Sequence, residues 1–452
     1  MTAESTSTAR YGHGVVIGAG IAGLLVARAL SDHFRQVTVL ERDDLPERPT
    51  CRPGVPQGRH VHGLLARGAA VLEEFFPGVL GELDAAGAPV VDCCHDIRFQ
   101  FPSGRSPQVH SGILVRAASR QLLEHVLRRR VASLERVTIR SGCPVVALRT
   151  GTDRRKVTGV WIQRRAGQPR TAYEAVDADL VIDASGRSSR LPHWLVDLGL
   201  PRAQETVIDA GVGYATRVFR ARPGSPANYV GVIEPLVPTT TTQHGCFVTQ
   251  VEDARILVTL QCAHERPPHT DIEFSRFVES LQCSLSDSLA GYQPDDLIYR
   301  YSRNANRRIH YSRLREWPEG IIALGDAVCA FNPIYGQGMT VAALEALTLD
   351  NFLAHSQGLA GFSARYQRAV ARLTAWPWFL ATIADRGRQS GPASATSRLG
   401  GWYLTRLQHL IPNNPDIFIR FVQVMHMIAN PATLVHPSVL LRVIAPRTAP
   451  RA

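Results

Sequence analysis

A chain of 452 residues with 45% hydrophobic and 20% charged residues has room for two or three domains with cores of their own, which excludes a disordered or fibrous protein. The net charge of +11 comes almost wholly from arginine, Lys156 being the one lysine. These arginines are dispersed and not interleaved with aromatics in a stripe, so nucleic acid is not the expected partner. No apolar run reaches the length of about 18 residues that a spanning helix needs, and Met1 to Arg10 has no apolar core of a secretory signal. The eight cysteines include no C-x-x-C pair, and the adjacent pair in Cys93-Cys94-His95-Asp96 is not spaced for a tetrahedral metal site. Reduced thiols, no metal and a cytoplasmic location are the expectation.

In chain order, Val15-Val-Ile-Gly18-Ala-Gly20-Ile21-Ala22-Gly23-Leu-Leu-Val-Ala27 reads as a buried strand, a glycine turn and a helix with a small-residue face. Gly18 permits the tight turn, Gly20 lets backbone approach a pyrophosphate, and Gly23 with Ala27 lets helix and strand pack closely. Gln36 to Glu41 is a second strand, closing a βαβ unit over 12–42. Glu41, about 20 residues past the glycines, suits the ribose hydroxyls of an adenosine and repels a 2′-phosphate. Asp43 to Pro56 is a loop, Leu64 to Phe76 has helical spacing, Phe99 and Phe101 fall in a strand, and Ser119 to Ala132 is a helix. Val137 to Arg149 and Lys156 to Arg165 read as strands around a turn at Thr150-Gly-Thr-Asp153, and Ala178 to Asp183 as another buried strand. The pattern is β-rich over 205–300, returns to a buried strand at Gly320 to Gly325, and is mostly helical after Met339. Ile417 to Ala429, interrupted by Arg420, Gln423 and His426, reads as an amphipathic or core helix. The pair Gly211-x-Gly213 lacks a third glycine, so one dinucleotide fold is expected and no separate NAD(P)H domain.

The predicted fold is α/β. A Rossmann-like domain is assembled from residues 12–75, 111–204 and 301–355; residues 76–110 and 205–300 form an inserted β-rich substrate domain, and 356–452 a helical C-terminal region. Two further strand ends carry chemistry. One is Asp183-Ala-Ser-Gly186-Arg-Ser-Ser-Arg190; the other is Leu324-Gly325-Asp326-Ala327, followed by Asn332-Pro333-Ile-Tyr-Gly336-Gln337-Gly338-Met339 at a helix start. An acid at a strand end can hydrogen-bond a polyol, and a glycine-rich helix N-terminus offers N–H donors to an electron-rich ring edge. A ribityl chain carrying an isoalloxazine ring needs that pair.

With these three ordered motifs the chain resembles the FAD-dependent monooxygenases of the aromatic-hydroxylase (class A) fold. Within them it is most similar to the bacterial polyether-type epoxidases (lasalocid and monensin epoxidases), through Arg52-Pro-Gly-Val-Pro-Gln-Gly-Arg-His-Val-His62, Asp209 to Arg220 and Trp317-Pro-Glu-Gly320. The resemblance implies that Gly18, Gly20, Ile21, Ala22, Gly23, Glu41 and Arg42 hold the ADP half of FAD. It places Asp183, Gly325 and Asp326 near the ribityl and pyrophosphate region. It puts Pro333, Gly336, Gly338 and Met339 at the flavin pyrimidine edge, and brings Arg120 and Arg59 toward the cofactor. The chain departs from the family in having Asp-Ala-Ser-Gly for Asp-Gly, and Thr340 where many aromatic hydroxylases have Asn. The implied activity is oxygen transfer from a flavin C4a-hydroperoxide, with NAD(P)H as transient reductant and O2 as co-substrate. The implied substrate is an apolar alkene-containing polyketide or terpenoid intermediate, and no protein nucleophile is expected. An aromatic polyketide hydroxylase and a non-oxygenating flavoprotein of the prenyl reductase or cyclase type are the alternatives. His60 and His62 have no third metal ligand in view, and are left between flavin-lining and ordinary loop roles. Trp376-Pro-Trp378 lacks the halogenase spacing and is assigned to helix packing.

Overall fold

The computed structural model describes residues 9–152, 154–163, 173–225, 228–236, 244–386 and 395–445. A five-stranded, all-parallel sheet runs in the order Ile321–Ala323, Leu180–Asp183, Tyr11–Ile17, Phe34–Leu40, Val137–Arg140. Its inner strands are continuous apolar runs because both faces are covered. The helix Ile21–Ser31 buries Ile21, Leu24, Leu25, Val26 and Ala27, and lies against the long helix Gly338–His355. Register places Ile17 beside both Leu40 and Asp183, and Asp183 beside Ala323. Four strand ends therefore form one row, and the residues that follow them (Gly18, Glu41, Ala184, Leu324) share the carboxyl edge where parallel sheets bind ligands.

The single strand expected over Val137 to Arg149 is two. Val137–Arg140 edges the parallel sheet, while Val145–Thr150 pairs antiparallel with Val157–Gln163 and, through it, joins Tyr173–Asp177. Gly142 at φ +63° turns the chain between them, and Pro144 lacks the N–H a continuing ladder would use. Residue 153 of the expected turn and residues 164 and 165 of the expected strand lie outside the described residues.

The large mostly antiparallel sheet is built on Val212–Ala221, His244–Gln250 and Arg255–Ala263, with Gly231–Glu234, Arg98–Phe101 and Tyr299–Tyr301 among its other strands. One face packs Val248, Ile256, Val258 and Leu260 against Phe274, Phe277 and Val278. Those three side chains belong to a helix, Asp271–Glu279, inside the stretch read as β-rich; Thr270 caps it by accepting the Glu273 N–H at 3.2 Å. The T-x-x-E pattern there was a legible start signal. The C-terminal helices Ala395–Leu410, Pro415–Met425 and Pro437–Ile444 share a core with Phe101 and Ile113, and Phe418 meets Phe99 edge-on at 5.3 Å. Among the described residues no helix is long and apolar enough to cross a membrane.

Candidate functional site

The glycine turn is dictated by contact. Gly18 has φ +102°, and its N–H donates to Leu40 O at 2.8 Å. A Cβ on Gly18 would lie 2.8 Å from Ala184 O, and one on Gly23 only 1.8 Å from Gly18 O. Gly20 is different: the nearest atom to its absent Cβ is Arg52 Nη2, 4.0 Å away. The helix starting at Ile21 has no side-chain cap and no acidic residue in its first turn. The first-turn N–H groups of Ile21, Ala22 and Gly23 thus stand behind an open approach, as an anion requires.

Beside this turn is a buried charge cluster. Glu41 accepts the Ala19 N–H (2.8 Å) and the Asp43 N–H (3.0 Å), so it helps shape the glycine loop itself. Arg52 reaches Glu41 at 3.3 Å, Asp43 at 2.8 Å and Glu124 at 2.8 Å, and Arg120 reaches the other Glu124 oxygen at 2.8 Å. Burial works against the Arg52 charge, but Glu124 and Glu41 more than offset it and raise its pKa. Burial likewise opposes ionisation of Glu124, and Arg120 and Arg52 hold its carboxyl below the ordinary value regardless. Arg120 is lowered by its own burial despite Glu124. Arg42 is half exposed, 4.0 Å from Asp43. Sequence reading gave no role to Arg52, Asp43 or Glu124; only the i,i+4 pair Arg120–Glu124 had a local signature.

Asp183 faces inward. It is fully buried, accepts the Ser185 N–H at 3.0 Å and binds the Ser185 and Ser189 hydroxyls. Burial raises its pKa, with those serines pulling the other way. Its carboxylate builds its own turn, and a side-chain contact with a ribityl group is not what this geometry offers. Asp326 lies where the ribityl reading put it. About a third of its side chain (35%) is exposed, Arg187 Nε stands 3.8 Å away, and a Cβ on Gly338 would lie 3.8 Å from its Oδ1. Its recessed position raises its pKa, opposed by Arg187 and Arg120. Gly325 (φ +63°) donates its N–H to Glu345 at 2.5 Å. Pro333 opens and Gly336 (φ +62°) closes the short turn before the helix Gly338–His355, whose start has no side-chain cap. Met339 packs on the main core. Gln337 Oε1 and Thr340 Oγ1 are buried there with no hydrogen-bond partner.

Glu345 was missed because its partner is a backbone N–H far along the chain. Burial pushes its carboxyl up to about 8. A carboxyl raised from 4.5 when folded contributes most below pH 4.5, and that stability is lost as pH rises through about 8. Glu345→Gln keeps an acceptor for Gly325 and abolishes the titration. Its unfolding free energy, followed by denaturant titration, should gain on the wild type between pH 5 and 8 by on the order of 2 kcal/mol. Parallel pH curves for the two proteins would refute this.

His60 and His62 join the row to the large sheet. Buried His60 bonds Thr216 Oγ1 through Nδ1 (2.7 Å), and its ring lies 5.6 Å from Tyr301 and 6.0 Å from Tyr214. Burial, with the neighbouring His62 and Arg59, holds His60 down at about 3; burial and Arg120 hold His62 at about 4. The Arg59 guanidinium is stacked on Tyr299 at 4.1 Å, toward the sheet.

The parts fit FAD: an open glycine turn under an uncapped helix, an acid beside a second uncapped helix, and buried orphan oxygens at that helix start. A family model described as an FAD binding domain (FAD_binding_3) matches residues 13–363. The chain belongs to this family. Protein Rv3254 of Mycobacterium tuberculosis is 37% identical over 82% of this chain and 80% of its own. Kynurenine 3-monooxygenase of Salinispora tropica is 28% identical over 78% of this chain and 75% of its own, and squalene epoxidase 4 of Arabidopsis thaliana is 26% identical over 75% and 61%. The flavin-dependent brominase Bmp2 shares the fold with a TM-score of 0.64 at 16% identity, over 92% of this chain and 93% of its own. The protein is therefore an FAD-binding oxidoreductase of the flavin monooxygenase family.

Proposed function

We propose that the protein takes electrons from NAD(P)H and transfers one atom of O2 to an apolar polyketide or terpenoid intermediate, epoxidising an alkene as the polyether-type epoxidases do. FAD, when bound, supplies reduction and oxygen activation. The chain's residues bind and orient it. The N–H groups of Ile21, Ala22 and Gly23, with Arg52 alongside, receive the pyrophosphate, and Glu41 the ribose. Asp326 receives the ribityl chain, and the N–H groups of Gly338 and Met339 the pyrimidine edge. Residues 12–75, 111–204 and 301–355 serve as the cofactor domain, and the β-rich segments as the substrate wall.

The observation that favours epoxidation over phenol hydroxylation is the state of His60 and His62. Attack on an alkene needs no protein base, whereas hydroxylation of a phenol gains from one with a pKa near the working pH. These two imidazoles, at about 3 and 4, are too weakly basic for that task. The aromatic hydroxylase reading has its own support in the kynurenine 3-monooxygenase relative. Aerobic turnover with NAD(P)H and a panel of polyenes and polyphenols, read by mass, separates them. An O2-dependent gain of one oxygen on a polyene, as epoxide or cyclic ether, is the expected result. Oxygenation of polyphenols alone would establish the hydroxylase, and turnover without O2 the reductase or cyclase type.

A further inference from the structure

The turn running from Asn332 to Gly336 leads directly into Gly338 and Met339, so whatever fixes it fixes how that helix start is presented. Asn332 is 1% exposed, and its polar atoms are engaged from three separate elements. Its N–H donates to Asn306 Oδ1 at 2.8 Å; its Oδ1 accepts the Tyr214 hydroxyl at 2.9 Å and the Ile334 N–H at 3.3 Å; its Nδ2 donates to Asp385 Oδ2 at 3.1 Å. Asp385 lies on the helix Ala375–Arg386 and is completely buried. Its Oδ2 also accepts Asn306 Nδ2 at 2.5 Å, and its Oδ1 accepts the Tyr335 hydroxyl at 2.6 Å. One carboxylate thus gathers both ends of the turn and the adjacent strand Asn306–Ile309.

A buried carboxylate is costly unless donors satisfy it, and bonds to an ionised acceptor are the strong ones. If this helix only packed against the turn, an apolar residue would serve as well. Three directed donors on one carboxylate instead fix the orientation of Asn332 and Tyr335. Asp385 also lies beyond the 13–363 stretch that the family model matches, so it is a contribution of the C-terminal helices.

We propose that Asp385 is a positioning residue for the flavin: by clamping Asn332 and Tyr335 it sets the turn into Gly338, and with it the seat of the isoalloxazine ring, while Tyr214 ties the large sheet to the same turn. The inference rests on the FAD reading. Its test uses the full chain loaded with FAD and compares wild type, Asp385→Leu, Asp385→Asn and Tyr335→Phe by FAD Kd, visible circular dichroism of the flavin and its midpoint potential. Asp385→Leu should weaken FAD binding by about tenfold to a hundredfold and alter the visible dichroism. Tyr335→Phe should shift the dichroism in the same direction with a Kd change of about threefold to tenfold. Asp385→Asn should restore most of the wild-type behaviour, because its amide oxygen keeps the asparagine donors and its NH2 can donate to the Tyr335 hydroxyl. Wild-type Kd, dichroism and potential in folded Asp385→Leu, with only thermal stability lowered, would overturn the proposal. Should that variant not fold, unchanged Kd and dichroism in Tyr335→Phe would overturn it equally. A wild-type chain that fails to retain FAD would instead refute the cofactor reading.

Discussion

Gly20→Ala and Gly23→Ala should fail in different ways. At Gly23 a methyl group would sit 1.8 Å from Gly18 O, a backbone atom held between Leu40 and Ala184. Relief requires the helix Ile21–Ser31 to lift off the sheet, opening the core beneath Leu24 and Val26, and overpacking of this kind costs about 1–3 kcal/mol or more. Gly23→Ala should therefore lose both FAD binding and thermal stability, and accumulate as insoluble protein. At Gly20 the nearest atom is 4.0 Å away and is the end of an arginine side chain. The flavin-free protein should fold with a nearly unchanged thermal midpoint. The added methyl group then occupies the approach to the helix start, and FAD Kd should rise by about a hundredfold. Thermal scans of each variant with and without FAD decide the matter: wild-type Kd in Gly20→Ala would remove the pyrophosphate from this turn.

That contrast also marks what was legible in the sequence. Glycines forced by local backbone contact, and strands buried on both faces, leave a signature within about 30 residues, so the βαβ unit, the Gly325 strand end and the α/β class could be read directly. The strand break at Gly142 could not, because the run from Val137 to Arg149 alternates plausibly throughout and only the change of pairing partner divides it. The site's polar supports were hidden for another reason. Arg52 meets Glu124 across 72 residues, and Asn332 meets Asp385 across 53. Neither spacing follows a helical or strand period, and the partner is chosen by tertiary packing. Asp183 shows the converse: its position at a strand end was read correctly, but the two serines that turn its carboxylate inward compete locally for it.

Arg52→Met should cost about 3–5 kcal/mol of stability, because it strands buried carboxylates that no other cation reaches. Glu124 retains Arg120, but Glu41 and Asp43 lose their contacts with Arg52, and the first of them also shapes the glycine loop through Ala19. The pH dependence identifies the mechanism. The Glu124 carboxyl is held below its ordinary 4.5 by Arg120 and Arg52, so its stabilisation is full above about that pH and is lost as pH falls through the lower folded value. The gap between wild type and Arg52→Met should be widest near neutrality and narrow below pH 4.5; a constant gap would mean that lost packing, not lost charge, is the cause. A double-mutant cycle with Glu124→Gln should give a coupling on the order of 1–3 kcal/mol. Lysine is not expected to rescue the site. One guanidinium meets Glu124 through Nε, meets Glu41 and Asp43 through Nη1, and holds Nη2 beside Gly20 where the pyrophosphate is proposed to arrive. A single ammonium cannot occupy those three directions at once. Arg52→Lys should therefore recover part of the stability while FAD Kd remains about tenfold or more above wild type. Full recovery of both by lysine would reduce the role of Arg52 to a point charge.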